Sequence, residues 1–151
     1  MQKKLIYNYL SDDDLLRISN KIKETEKTTT GEIRVSIKEK KIFLSASSLD
    51  ELAKKEFYKL GVDKTRDKTG ILIFILLEKK QFYILADKGI NEIVPENTWD
   101  GIKEEMQKIF KEGHFCKGII HGIDEVGSLL SKHFPIKSDD TNELTNKVVL
   151  D

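Results

Sequence analysis

The stretch "ILIFILLEKKQFYILA", Ile71 to Ala86, decides the fold. Its opening run, Ile71 to Leu77, is apolar at every position, without the alternation of a strand that keeps one face in water. Such a run predicts a central strand covered on both sides. "EKKQ" supplies a short polar connection, and "FYILA", Phe82 to Ala86, reads as the returning arm of a hairpin.

Upstream, Glu32-Ile33-Arg34-Val35-Ser36-Ile37 alternates polar and apolar residues, the pattern of a half-buried strand. Ser47 and Ser48, three before Asp50 and Glu51, introduce a helix with Leu49, Leu52, Ala53, Phe57 and Leu60 on one stripe, and Gly61 ends it. Strand, helix, strand makes a β-α-β unit, so the Ile33 and Ile71 strands should run parallel. An earlier helix starts at Ser11, where Asp12, Asp13 and Asp14 occupy the first turn, and carries Leu15, Ile18 and Ile22 on one face until Thr28-Thr29-Thr30-Gly31.

Downstream, Asn97 and Asp100 cap a third long helix with Trp99, Ile102, Met106, Ile109 and Phe110 inward. Gly113 breaks it. A fourth helix follows from His114 to His133 on Phe115, Ile119, Ile123, Val126 and Leu130. The order α-β-α-β-β-α-α predicts a three-layer α/β/α sandwich around a small mixed sheet. One domain is expected over residues 1–135. Residues 136–151 are expected to be a polar, mobile tail in which "KVVL" could add a short edge strand.

Composition bounds the function. The 26 basic and 26 acidic side chains balance, and the aromatic residues are not interleaved with Lys or Arg, so nucleic acid is not an expected partner. The single cysteine, Cys116, cannot form an internal disulfide, which suits a reducing compartment. No apolar run reaches membrane-spanning length, and "MQKKLIYNYLSDDD" lacks the continuous apolar region of a signal peptide. A cytoplasmic location is the expectation.

Topology gathers acidic groups that are distant in sequence. Glu32 opens the first strand, "VDKTRDKTG" (Val62 to Gly70) opens the second, and the hairpin returns Asp87 to the same sheet end. Glu32, Asp63, Asp67, Asp87, Asn91 and Glu92 therefore converge from three segments, the arrangement a hard cation such as Ca²⁺ or Mg²⁺ needs for its oxygen ligands. The same residues have a local use. Asp87-Lys88-Gly89 has turn chemistry of its own, with Gly supplying positive φ and Asp an Asx-type bond. Lys64, Arg66, Lys68 and Lys88 can neutralise the neighbouring carboxylates, and the spacing is not that of an EF-hand loop.

Three segments together, "TTGEIRVSI", "FYKLGVDKTRDKTGILIFILLEKKQFYILADKGINEIVP" and "KIFKEGHFCKGIIHGIDEVGSLLSKHF", resemble the TPM domain, the module of thylakoid-lumen phosphatase-like proteins and many bacterial relatives. The resemblance runs from about Ser11 to Phe134. It implies an α/β/α sandwich with a divalent-cation site, often for Ca²⁺, at the loop end. It also implies metal-dependent acid phosphatase activity in some members and an accessory or assembly role in others. The family's loop usually ends in Asp-Asn-Gly, whereas here Lys68-Thr69-Gly70 follows Asp67. Its second turn often reads Gly-Tyr-Gly-Leu-Glu-Gly, and here Asn91 falls where the Glu is common, with Asp87 and Glu92 nearby. On this reading the metal ligands are Glu32, Asp67, Asp87, Asn91 and Glu92.

Other chemistries lack their motifs. There is no G-x-S-x-G elbow, P-loop, Gly-rich dinucleotide fingerprint or Cys–Arg phosphatase loop. His114 and His121 are about 10 Å apart along one helix, too far to share an ion, His133 is further still, and Cys116 reads as a packing residue. Three functions remain: a Ca²⁺- or Mg²⁺-binding accessory domain that engages another protein, a metal-dependent phosphatase using the same site, or an interaction module without an ion.

Overall fold

The computed structural model describes residues 5–39, 48–136 and 148–150. After a 3-10 turn at Leu5–Asn8, the elements are α1 (Asp12–Glu26), β1 (Glu32–Lys38), α2 (Leu49–Lys59), a second 3-10 turn (Val62–Lys64), β2 (Gly70–Leu76), β3 (Gln81–Ala86), the single-turn α3 (Lys88–Asn91), α4 (Thr98–Lys111), α5 (Phe115–His133) and β4 (Val149–Leu150). The sheet order is β3-β2-β1-β4. β1 and β2 are parallel, β2 and β3 antiparallel, as the β-α-β unit and the hairpin require.

β2 is buried along its whole length. Ile71, Ile73, Ile75 and Leu77 enter a core shared with Ile18 and Ile22 of α1, Met106 of α4 and Ile119, Ile123 and Val126 of α5. Leu72, Phe74 and Leu76 enter the opposite core, against Leu52, Ala53 and Phe57 of α2. Two cores back to back on one strand make the three layers. No helix among the described residues is long and apolar enough to cross a membrane.

Local chemistry sets the boundaries. Ser11 caps α1 in a reciprocal box: its hydroxyl accepts from the Asp14 amide at 3.1 Å, and Asp14 accepts from the Ser11 amide at 2.9 Å. That backbone hydrogen bond, foremost, holds the Asp14 carboxyl below its ordinary value. Gly61 and Gly113 sit at φ 72° and 86° where helices end. In α5, Gly118 and Gly122 let α4 approach closely; a Cβ on Gly122 would stand 2.6 Å from Met106 Sδ.

The turn after α1 is fastened to the end of α5. The Thr30 amide donates to Phe134 O at 2.9 Å, Thr29 Oγ1 lies 3.1 Å from Leu130 O, and Thr28 Oγ1 lies 2.5 Å from Ser131 Oγ. The "KVVL" expectation meets β4, whose Val149 and Leu150 pair in parallel with Ser36 and Ile37. The mobile tail was expected over residues of which 137–147 lie outside those described.

The polar positions of β1 are not all solvated. Ser36 hydroxyl donates to the buried Glu56 of α2, whose other oxygen lies 3.8 Å from Lys38 Nζ. Buried Glu26 accepts from the Ile33 amide at 2.6 Å. Burial pulls the Arg34 guanidinium below its ordinary value, opposed by the charges of Glu56 and Glu26.

Truncating Ile73, fully buried on β2, to Ala should cost about 2–5 kcal/mol, whereas Leu16→Ala on the exposed face of α1 should stay within about 0.5 kcal/mol. Urea unfolding of the two variants checks this.

Candidate functional site

Three backbone hydrogen bonds draw the sheet-end loops together. The Glu32 amide donates to Thr69 O (3.1 Å), the Asp87 amide to Gly70 O (2.9 Å) and the Gly89 amide to Lys68 O (2.9 Å). Residues 67–70 thus lie between the start of β1 and the end of β3. The loop is also braced internally: the Lys68 ammonium donates to Asp63 O at 2.9 Å, and the Thr69 amide to Thr65 Oγ1 at 3.0 Å. Lys68 adopts φ 58°, a left-handed conformation uncommon outside glycine, as does Lys80 (φ 52°) between β2 and β3.

The acidic side chains divide into two sets. Glu32 is buried at the mouth of β1, at 3% exposure. Asp87 caps α3, its Oδ1 accepting from the Lys88 amide at 2.8 Å, while its Oδ2 is shut off from solvent with no hydrogen-bond partner. Asp63 Oδ1, in the neighbouring loop, is in the same condition; Lys64 Nζ stands 4.0 Å from Asp63 Oδ2. Buried carboxylate oxygens left without a donor cost free energy, a cost that a bound cation would relieve.

Asp67, Asn91 and Glu92 are placed differently. Asp67 is about half exposed, its Oδ2 3.3 Å from Arg66 Nη2. Asn91 donates from Nδ2 to Ala86 O (2.9 Å), and its Oδ1 lies 3.4 Å from the Trp99 indole nitrogen, so it braces the turn. Glu92 is exposed on the rim of a hollow of about 390 Å³ that Lys54, Tyr58, Asp87, Lys88 and Asn91 also line. Asn91 and Trp99 border a wider groove of about 840 Å³ with Glu96, Asp100 and Lys103.

The Asp87-Lys88-Gly89 turn differs from its expected geometry. It is one turn of helix, and Gly89 does not use positive φ. The glycine is required by proximity: a Cβ there would stand 2.3 Å from Asp67 O and 2.5 Å from Lys68 O.

Among the described residues, one group of three His, Cys, Asp or Glu side chains brings a ligand atom each within 4.8 Å of one another: Glu105, His121 and Glu125. The sheet-end carboxylates do not close to that distance as a trio, so an ion held there would complete its shell with backbone oxygens and water, as Ca²⁺ commonly does. Measuring the histidines only against each other misses this helical group; the His121/Glu125 spacing is visible in sequence, the approach of Glu105 is not. Cys116 is half-buried, and burial, with the Asp14 carboxylate second, pushes its thiol up, which makes it a poor nucleophile.

A family model described as TPM domain matches residues 7–129. The chain is similar to the BA42 protein of the psychrophilic bacterium Bizionia argentinensis, solved by NMR, with 36% identity and a TM-score of 0.85 over 95% of this chain and 96% of that one. It shares its fold with the N-terminal domain of a P. gingivalis protein (16% identity, TM-score 0.67, 83% and 79% covered). The same holds for the N-terminal domain of the cg2496 protein of Corynebacterium glutamicum (12%, 0.62, 90% and 82%). A comparison with curated proteins gave no match.

Replacing Gly89 with Ala should destabilise the protein by about 1–3 kcal/mol through collision with the two carbonyls. Denaturant unfolding measures the loss, and amide exchange at Lys68–Gly70 should rise with it.

Proposed function

The chain belongs to the TPM domain family, and from that premise we propose that it binds a divalent cation, Ca²⁺ by preference, in the loops at the β1/β2/β3 end. The observation that carries this reading is the pair of solvent-excluded, unpartnered oxygens, Asp63 Oδ1 and Asp87 Oδ2. These two residues would hold the ion, with Glu32 next in line and Asp67 and Glu92 supplying outer negative charge. Asn91 belongs to the turn that supports Asp87. Bound there, the cation would supply fixed positive charge that locks the three loops into one surface. A cytoplasmic accessory role, with another protein reading that surface, fits the exposed Tyr58 and Ile93 beside it.

Adding Ca²⁺ to chelator-treated protein should raise the melting temperature, since binding to the native state contributes RT ln(1 + [L]/Kd), about 2.7 kcal/mol at a hundredfold excess over Kd. Asp87→Asn and Asp63→Asn should each lose most of that rise. No response at millimolar Ca²⁺ or Mg²⁺ sinks the reading.

A second reading, metal-dependent hydrolysis of phosphomonoesters at the same end, is favoured by Arg34. Its Nε is buried without a hydrogen-bond partner, two residues along β1 from Glu32. A guanidinium with donors to spare suits phosphate. Turnover of a phosphomonoester that requires added metal and falls more than about tenfold in Asp87→Asn supports it; metal-independent turnover, or turnover that survives the substitution, assigns the activity elsewhere.

A further inference from the structure

We propose that Glu105, His121 and Glu125 form a separate binding site for a transition-metal dication of the zinc class, on the exposed seam between α4 and α5. All three can offer a ligand atom within 4.8 Å of the other two. His121 and Glu125 are four residues apart on α5, one turn along the same face. Glu105 arrives from α4, with its Oε2 already 2.5 Å from His121 Nε2.

The seam that carries them is held by packing. Gly122, next to His121, takes Met106, next to Glu105, against its bare Cα, and Gly118 does the same for Phe110 one turn earlier. The backbone positions of the ligands are therefore fixed by the core side of the two helices, which preorganises a site better than loops do. The His121 side chain is 30% exposed and that of Glu105 59%, so the ring is held while the carboxylates can adjust. Zinc bonds of about 2.0–2.2 Å need donors closer than 4.8 Å, a gap that small rotations of the two exposed glutamates close.

Charge and donor type select the ion. A His–Glu ion pair needs one carboxylate, yet two stand at this imidazole, and a dication neutralises both with the ring uncharged. One nitrogen and two oxygen donors suit Zn²⁺ and its neighbours, whereas Ca²⁺ takes six to eight oxygens. Three protein ligands leave the fourth tetrahedral position to water or to an outside group.

The test titrates Zn²⁺ into the chelator-treated full chain, following binding by calorimetry and the His121 ring by NMR, with excess Ca²⁺ present so that the sheet-end reading is probed independently. One equivalent should bind and shift the His121 ring signals. His121→Ala and Glu125→Gln should each weaken binding by more than about tenfold, the loss that even an outer-shell partner causes, with unchanged melting curves without metal. Glu125→Gln is decisive because it leaves the Glu105–His121 pair intact. Absence of Zn²⁺ binding at millimolar concentration, or full affinity retained in either variant, overturns the proposal and leaves a His–Glu ion pair or adventitious binding at His114, Cys116 or His133.

Discussion

Everything in this fold follows from β2 having no wet face. A strand apolar on both sides must be covered on both sides, and 151 residues hold few helices with which to do it. α2 is committed to the Leu72-Phe74-Leu76 face, and α1, α4 and α5 to the Ile71-Ile73-Ile75 face. Neither helical layer can be lost without exposing a row of branched side chains, each worth about 1.5–3 kcal/mol when buried. The same strand sets the end of the sheet where the loops meet. Its parallel partner and its antiparallel partner both bring a terminus to the place where β2 begins.

At that end, main-chain groups fix the loops and side chains are left over. The carbonyls of residues 68–70 are taken by amides of Glu32, Asp87 and Gly89, and Asp87 Oδ1 takes the Lys88 amide. Asp63 and Asp87 keep oxygens that nothing in the loops answers, whereas Asp67 has Arg66. Acidity alone therefore does not distinguish these carboxylates from one another. The presence or absence of an internal donor does.

The architecture was legible because it rests on periodicity. Continuous apolar character marked β2, alternation marked β1, and the intervening helix dictated their parallel pairing. The meeting of Glu32, the Val62–Gly70 loop and Asp87 followed from that topology. What stayed hidden depends on approach distances rather than on pattern. Gly89 looked like a turn glycine and is an adjacency glycine. Arg34 and Ser36 looked like the solvated side of a strand, but α2 covers that side and supplies Glu56 to meet Ser36. The neighbourhood of Glu105 and His121 depends on the register of two helices, which glycines at 118 and 122 set only once Phe110 and Met106 are in place. β4 is too short for periodicity to define, and its pairing with β1 shows only in the sheet.

The fastening of Thr28–Thr30 to the end of α5 also bears on how the chain is made. These contacts join residues more than a hundred positions apart, so they can form only after α5 has been synthesised. Ile18 and Ile22 of α1 wait in the same way for the α5 side of their core. Closure of so long a loop costs entropy before any contact returns it, and non-local pairings of this kind slow folding. Until α5 arrives, the branched face of β2 has no full cover. The nascent chain is then most exposed to aggregation just before α5 leaves the ribosome.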